Sequence, residues 1–210
     1  MRLVAISLRV DDERERRDAL DQEWYRVLGA AGLMPLLIPN HTELCTQMVD
    51  YLRSLSVCGA LLTGGNDLLG TPGAKNVATE REQVETSLIE ACISLELPIL
   101  GVCRGFQKLA LHHGARLSSA PGHVGKTHPL VVVADSDMPL EGGRAAVNSF
   151  HDFGLASADL GSNMIAVALS PDGFVEAAVH RDLPHWGIMW HPERSPNDPG
   201  DLEIIRSLLA

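Results

Sequence analysis

Short apolar runs alternate with amphipathic stretches along the first half of the chain. Residues 3–9 (LVAISLR), 34–40 (MPLLIPN), 58–65 (CGALLTGG) and 98–103 (PILGVC) are near-continuous apolar segments of strand length. Between them, 13–32, 42–55, 79–96 and 104–114 carry apolar residues at helical spacing, and glycines 32 and 114 close two of these predicted helices. Strands that are apolar on both faces, separated by helices, predict a parallel sheet covered on both sides. The second half is richer in predicted strands: 128–135, 144–150, 164–170, 173–180 and 185–190, with SPDG at 170–173 as a hairpin turn and a last helix at 198–209. In open α/β sheets, ligands bind beyond the carboxyl ends of the parallel strands. Function is therefore expected just after strands: at Arg9, at Gly64–Asn66, at Cys103 and at whatever follows Trp190.

Composition narrows the function classes. The chain has 210 residues, is 45% hydrophobic and 21% charged, and carries a formal net charge of -10. One domain spanning 1–210 is the simplest organisation. The acidic balance argues against a nucleic-acid or membrane-surface binder. No segment approaches the ~20 apolar residues of a membrane helix, and the start does not read as a secretory leader. The four cysteines, Cys45, Cys58, Cys92 and Cys103, lack C-x-x-C spacing, so free thiols in a reducing cytoplasm are expected. Among nine histidines there is no H-E-x-x-H, and no metal or organic cofactor is expected. Adjacent His112 and His113 read as polar residues at a helix end.

Cys103 stands apart from the other cysteines. It ends an apolar run, lies between Gly101 and Gly105, and precedes a helix, the pattern of a nucleophile elbow with sulfur in place of oxygen. A helix N-terminus favours a thiolate through its free N–H groups and dipole. The Arg104 backbone N–H is then an oxyanion donor. The stretch MWHPERS (189–195) supplies a base: His191 follows a strand, and Glu193, two residues on, can hold its ring. Pro192 biases His191 toward extended backbone. The glycine pair in LLTGGNDL (61–68) lets backbone approach a ligand, with the Gly65 N–H as the second oxyanion donor.

Taken together, GVCRGFQ, HPE and TGGND resemble the class I glutamine amidotransferases, in order and spacing over essentially the whole chain. The resemblance implies a flavodoxin-like, three-layer α/β fold with a central, mostly parallel sheet, helices on both faces and a strand-rich second half. It also implies a Cys103–His191–Glu193 triad that forms a γ-glutamyl thioester. GGND, EREQVE, VNSFHDFG and DGFVEA look like the stand-alone γ-glutamyl hydrolases of that family. ERRDALDQEWY, GHVGKTH and GIMWHPER are most similar to the γ-glutamyl-CDP-amidate hydrolases, which serve phosphoramidate decoration of bacterial surface polysaccharide.

From the resemblance, Asn148, Ser149 and His151 correspond to the loop that holds the glutamyl α-groups, and Gln107 is a further binding candidate. The implied partner is a small γ-glutamyl compound linked to a nucleotide, and a homodimer is held open. Arg9, Arg104 and Lys126, with His123 and His128 flanking Lys126, are the expected positive rim for a diphosphate. Rival readings on the same residues are hydrolysis of another γ-glutamyl amine, a glutaminase subunit feeding a separate synthetase, and a non-enzymatic cysteine sensor.

Overall fold

A computed structural model describes residues 1–140 and 146–210. In chain order the elements are β1 (Arg2–Ser7), β2 (Arg9–Asp11), β3 (Arg17–Ala19), α1 (Glu23–Ala30), β4 (Leu33–Ile38), α2 (Met48–Ser54), β5 (Ala60–Leu62), α3 (Thr79–Ser94), β6 (Ile99–Val102) and α4 (Arg104–His112). They continue as β7 (Ser118–Ser119), β8 (Val124–Pro129), β9 (Val131–Val132), β10 (Ala146–Phe150), β11 (Phe153–Gly154), β12 (Met164–Leu169), β13 (Val175–His180), β14 (His185–Ile188) and α5 (Pro199–Leu209). Two residues of the predicted strand 144–150, residues 144 and 145, lie outside the described residues.

The main sheet runs β4-β1-β5-β6-β14-β13-β12-β9. Pairings from β4 through β14 are parallel, and those of β13, β12 and β9 are antiparallel. Alternate strand residues feed opposite faces, as the two-residue period requires. Val4, Ile6, Leu61, Leu100 and Val102 pack with Trp24, Val27 and Leu28 of α1 and Ile204, Ile205 and Leu209 of α5. Ala5, Ala60, Leu62 and Ile99 pack with Met48 and Leu52 of α2 and Val84, Leu88 and Cys92 of α3. The expected three layers follow. The chain turns from β1 outward to β4 and then back to β5, so the strand order reverses beside the β1 and β5 carboxyl ends, where a crevice opens.

The predicted helix 13–32 divides differently. Residues 9–11 and 17–19 form an antiparallel hairpin, and the helix begins only at Glu23. Tertiary contacts override the helix propensity of the ERERRD run. The Asn66 side chain pairs with Val10 like a neighbouring strand, accepting from its N–H and donating to its carbonyl, both at 2.8 Å. Asp18 accepts from the backbone and side-chain nitrogens of Asn40. The region expected as one strand at 128–135 is broken between β8 and β9, and β8 starts earlier, at Val124. His113 is buried rather than solvated, its Nε2 3.0 Å from His185 Nδ1. Burial and the neighbouring histidines hold the pKa of His113 at about 4 and that of His185 at about 3.

Candidate active site

The crevice is built on the carboxyl ends of β5, β6 and β14. β6 delivers Cys103, whose N–H donates to the Ile188 carbonyl at 2.8 Å. Its carbonyl accepts from Gln107 N–H, so Cys103 caps α4. Its backbone stands at φ 52, ψ -111, a strained conformation for a residue with a Cβ. The two flanking glycines serve close packing. A Cβ on Gly105 would lie 2.0 Å from the Leu62 carbonyl oxygen, and one on Gly101 would lie 2.7 Å from Phe106 Cα. These glycines let α4 press onto β5 and β6, and the elbow strain falls on the cysteine.

His191 follows β14. Its Nδ1–H donates to Glu193 Oε1 at 2.6 Å, and both side chains are buried. Its Nε2 makes no hydrogen bond among the described residues, which leaves that nitrogen for the thiol side. A Cβ placed on Gly64 would sit 2.9 Å from His191 Cε1 and 3.7 Å from Cys103 Cβ, so histidine and cysteine flank this one glycine. Burial disfavours the imidazolium, but the Cys103 thiolate and the Glu193 carboxylate outweigh it and raise the His191 pKa to about 10. By contrast, burial alone pushes the Cys92 thiol up to about 12, which leaves it inert.

A raised folded-state pKa has a definite sign. Imidazolium pairing stabilises the fold fully below the unfolded value of about 6.5 and is lost as pH rises through about 10. If His191 supplies a proton during turnover, the rate should fall on an alkaline limb near pH 10. Removing the Glu193 charge with Glu193→Gln should move that limb to lower pH. A kcat/KM profile on both proteins checks this, with proton NMR of the His191 ring; unshifted limbs would exclude Glu193 as the group that holds the imidazolium.

The glycine loop after β5 is fixed from below by Arg81, a fully buried residue of α3. Its guanidinium donates to the carbonyls of Thr63 (2.7 Å), Gly64 (3.2 Å) and Gly65 (2.5 Å), to Asn66 Oδ1 (3.0 Å) and to Glu85 (2.9 Å). Burial lowers the Arg81 pKa to about 9, which still leaves it charged at neutral pH. With these carbonyls bound on one side, the loop amides can turn to the other. Gly65 has φ +80 and Asn66 φ +61. Neither the Gly65 nor the Arg104 amide donates to another described residue. No reading of single motifs singled out Arg81. The signal was in EREQVE, where Arg81 and Glu85 stand four apart on one helix face.

Several expected contacts fall elsewhere. The cleft has a volume of about 450 Å³, and Gly65, Cys103, Gln107, His151 and His191 line it. Arg9 borders a smaller pocket on the far side of Gly65, with His191 and Glu193. The Arg104 side chain turns inward to Glu82 and Glu85 and is buried, so its charge is neutralised inside the protein. Lys126 and His123 do not line the cleft. Among the described residues, the cations that do line it, beside Arg104, are Lys75 and Arg194, and the Arg194 guanidinium stacks 3.6 Å from the Phe150 ring centre.

Asn148 holds protein rather than open space. Its amide accepts from the His191 N–H at 2.9 Å and donates to the His191 carbonyl at 3.0 Å, which fixes the backbone that carries the imidazole. Ser149 is fully buried, and its hydroxyl donates to the His123 carbonyl at 2.6 Å. Gln107 Nε2–H and His151 Nδ1–H both donate to the Phe153 carbonyl, tying the cleft wall to α4. Sequence order alone could not show that β10 commits the Asn148 and Ser149 side chains to partners within the protein.

A thiol at a strained elbow, an unpaired imidazole nitrogen and a carboxylate behind the ring form an arrangement suited to acyl transfer. Comparison with known proteins agrees in family. The Peptidase C26 family model matches residues 4–193. The chain is 29% identical to γ-glutamyl-CDP-amidate hydrolase of Campylobacter jejuni, over 93% of this chain and 90% of that protein. It is 35% identical to a glutamine amidotransferase-like protein, YvdE, of Lactococcus lactis, over 63% of this chain and 64% of that protein. Among solved structures, a Thermoplasma acidophilum protein described as a component of GMP synthase superimposes with a TM-score of 0.73 at 20% identity, covering 100% of this chain and 92% of that one. That likeness bears on the fold.

Proposed function

Belonging as it does to the Peptidase C26 family, the chain is a hydrolase of the γ-glutamyl amide type, and we propose that its substrate is γ-glutamyl-CDP-amidate. The observation that carries the chemistry is the alignment of Cys103, His191 and Glu193 at the strand ends. The Cys103 thiolate attacks the γ-carbonyl carbon. The amides of Gly65 and Arg104 bind the oxygen as it becomes negative. The His191 imidazolium protonates the leaving nitrogen, the C–N bond breaks, and a γ-glutamyl thioester remains. Neutral His191 then takes a proton from water as the water attacks the thioester, releasing glutamate and restoring the Cys103 thiolate beside the His191 imidazolium.

The choice of leaving group draws its support from the Campylobacter relative, similar along nearly its whole length, and from Lys75 and Arg194 in the cleft wall. These two cations replace the Arg104 and Lys126 side chains in the expected rim, as groups able to face a diphosphate. Gln107 remains the candidate nearest the glutamyl end.

The test supplies γ-glutamyl-CDP-amidate, glutamine and γ-glutamyl-aminobutyrate separately, and follows phosphorus NMR and glutamate release. Rapid formation of cytidine diphosphoramidate, with slow turnover of the other two, is the expected result. Preference for γ-glutamyl-aminobutyrate or glutamine would overturn the leaving-group assignment while preserving the triad. No glutamate from any of the three would overturn both.

A further inference from the structure

Away from the triad, three histidines and a glutamate from four parts of the chain converge. His123 precedes β8, His128 lies within it, His151 follows β10, and Glu176 lies in β13. Glu176 is fully buried. Its Oε1 lies 3.7 Å from His123 Nδ1, 3.4 Å from His128 Nε2 and 3.6 Å from His151 Nε2. One ligand atom from each residue falls within 4.8 Å of every other.

The outer side of each ring decides what faces inward. His123 Nε2 lies 3.0 Å from the Asp172 carboxylate, His128 Nδ1 3.1 Å from the Pro129 carbonyl, and His151 Nδ1 3.0 Å from the Phe153 carbonyl. Each of these partners can only accept, so each outer nitrogen carries the proton. A neutral imidazole then presents a bare lone pair on its other nitrogen. With all three rings neutral, three lone pairs and a carboxylate are aimed at one point. Among the described residues, His123 Nδ1, His128 Nε2, His151 Nε2 and both Glu176 oxygens are buried without a hydrogen-bond partner. Several orphaned acceptors facing one another are costly unless something positive lies between them.

We propose that His123, His128, His151 and Glu176 bind one divalent transition-metal cation, with zinc the best match. Three imidazoles and one carboxylate are ligands of suitable softness for zinc. Metal–ligand bonds of about 2.05 Å in a tetrahedron place ligand atoms about 3.4 Å apart, close to the three separations from Glu176. The outer acceptors are the partners that orient metal-bound imidazoles, and Ser170 in turn donates to Asp172 at 2.5 Å.

Four protein ligands make a closed, structural site. It would clamp β8 and β10 onto β13. β10 also carries Asn148, which grips the His191 backbone, so the metal would act on the cleft by positioning. The sequence expectation of no metal rested on contiguous motifs, whereas these ligands span His123 to Glu176 and meet only in the fold.

The test uses tag-free full-length chain carrying Cys103→Ala, so that the reactive thiol cannot take the metal. Metal content is measured by mass spectrometry. Zinc is then removed with a chelator and titrated back, with binding and thermal unfolding both followed. About one zinc per chain, 1:1 rebinding and a higher Tm on rebinding are expected. Glu176→Gln and His128→Asn should abolish stoichiometric binding. Because these could unfold the core, half-exposed Asp172 offers a milder variant: Asp172→Asn should keep 1:1 binding with affinity reduced about 10–100-fold. Cobalt in place of zinc should give the strong visible absorption of tetrahedral coordination. A folded, metal-free parent whose Tm does not respond to zinc, or undiminished binding in a folded His128→Asn protein, would overturn the site.

Discussion

A Cys103→Ala variant is expected to fold like the parent and to hydrolyse γ-glutamyl substrate at least ~10⁴-fold more slowly, as loss of the nucleophile does in hydrolases that act through a covalent intermediate. The substitution removes only the sulfur from a buried position at the cap of α4, so little packing is lost. Two further readouts separate a catalytic from a structural role. His191 should titrate below its raised value of about 10, since one of the two negative partners is gone. A Cys103→Gly variant should be equally inactive yet more stable than Cys103→Ala by about 1 kcal/mol, or roughly 2–4 °C in Tm, because glycine adopts φ 52, ψ -111 without a Cβ conflict. Steady-state kinetics and thermal unfolding check both. Residual turnover within tenfold of the parent would remove Cys103 from the mechanism, and equal Tm values for the alanine and glycine variants would show that the elbow carries no strain.

The second large effect concerns Arg81. Arg81→Met keeps much of the side-chain volume but leaves the carbonyls of Thr63, Gly64 and Gly65 without their guanidinium donor, and takes from Glu85 one of its two partners among the described residues. Removing one partner of a buried ionic network typically costs about 3–5 kcal/mol. For a chain of this length, that corresponds to a fall in Tm of roughly 6–20 °C. Activity should fall further than stability alone explains. A loop released from Arg81 can rotate its peptides, and loss of one oxyanion donor costs about 10²–10³ in kcat. The loss should appear in kcat more than in KM, measured well below the lowered Tm. Arg81→Lys should recover only part of either quantity, since a point charge cannot reach several acceptors spread along the loop. An Arg81→Met protein that melts within about 2 °C of the parent, well short of the expected change, would show that the loop holds itself.

The division between local and tertiary information is visible in particular residues. Strand and helix periodicity placed β1, β5, β6 and β14, and the rule of strand carboxyl ends then pointed to Gly64–Asn66, Cys103 and His191. These features are readable because they are local: an apolar run, a glycine that admits close packing, a histidine and a glutamate two residues apart. Side-chain direction in the second half was not readable. Asn148, Ser149 and His151 sit in one short motif, yet the first grips His191, the second is buried against the His123 carbonyl and the third joins the histidine cluster.

The hairpin at residues 9–19 escaped because its helix-favouring charges are outweighed by contacts to Asn66 and Asn40, far along the chain. Periodicity and short spacing were enough to read the sheet, the elbow and the candidate triad from the chain. Which cations reach the cleft, the hold of Arg81 on the glycine loop and the meeting of three histidines with Glu176 came from the fold. Each of these depends on burial and on hydrogen-bond partners brought together from distant positions, which no local pattern encodes.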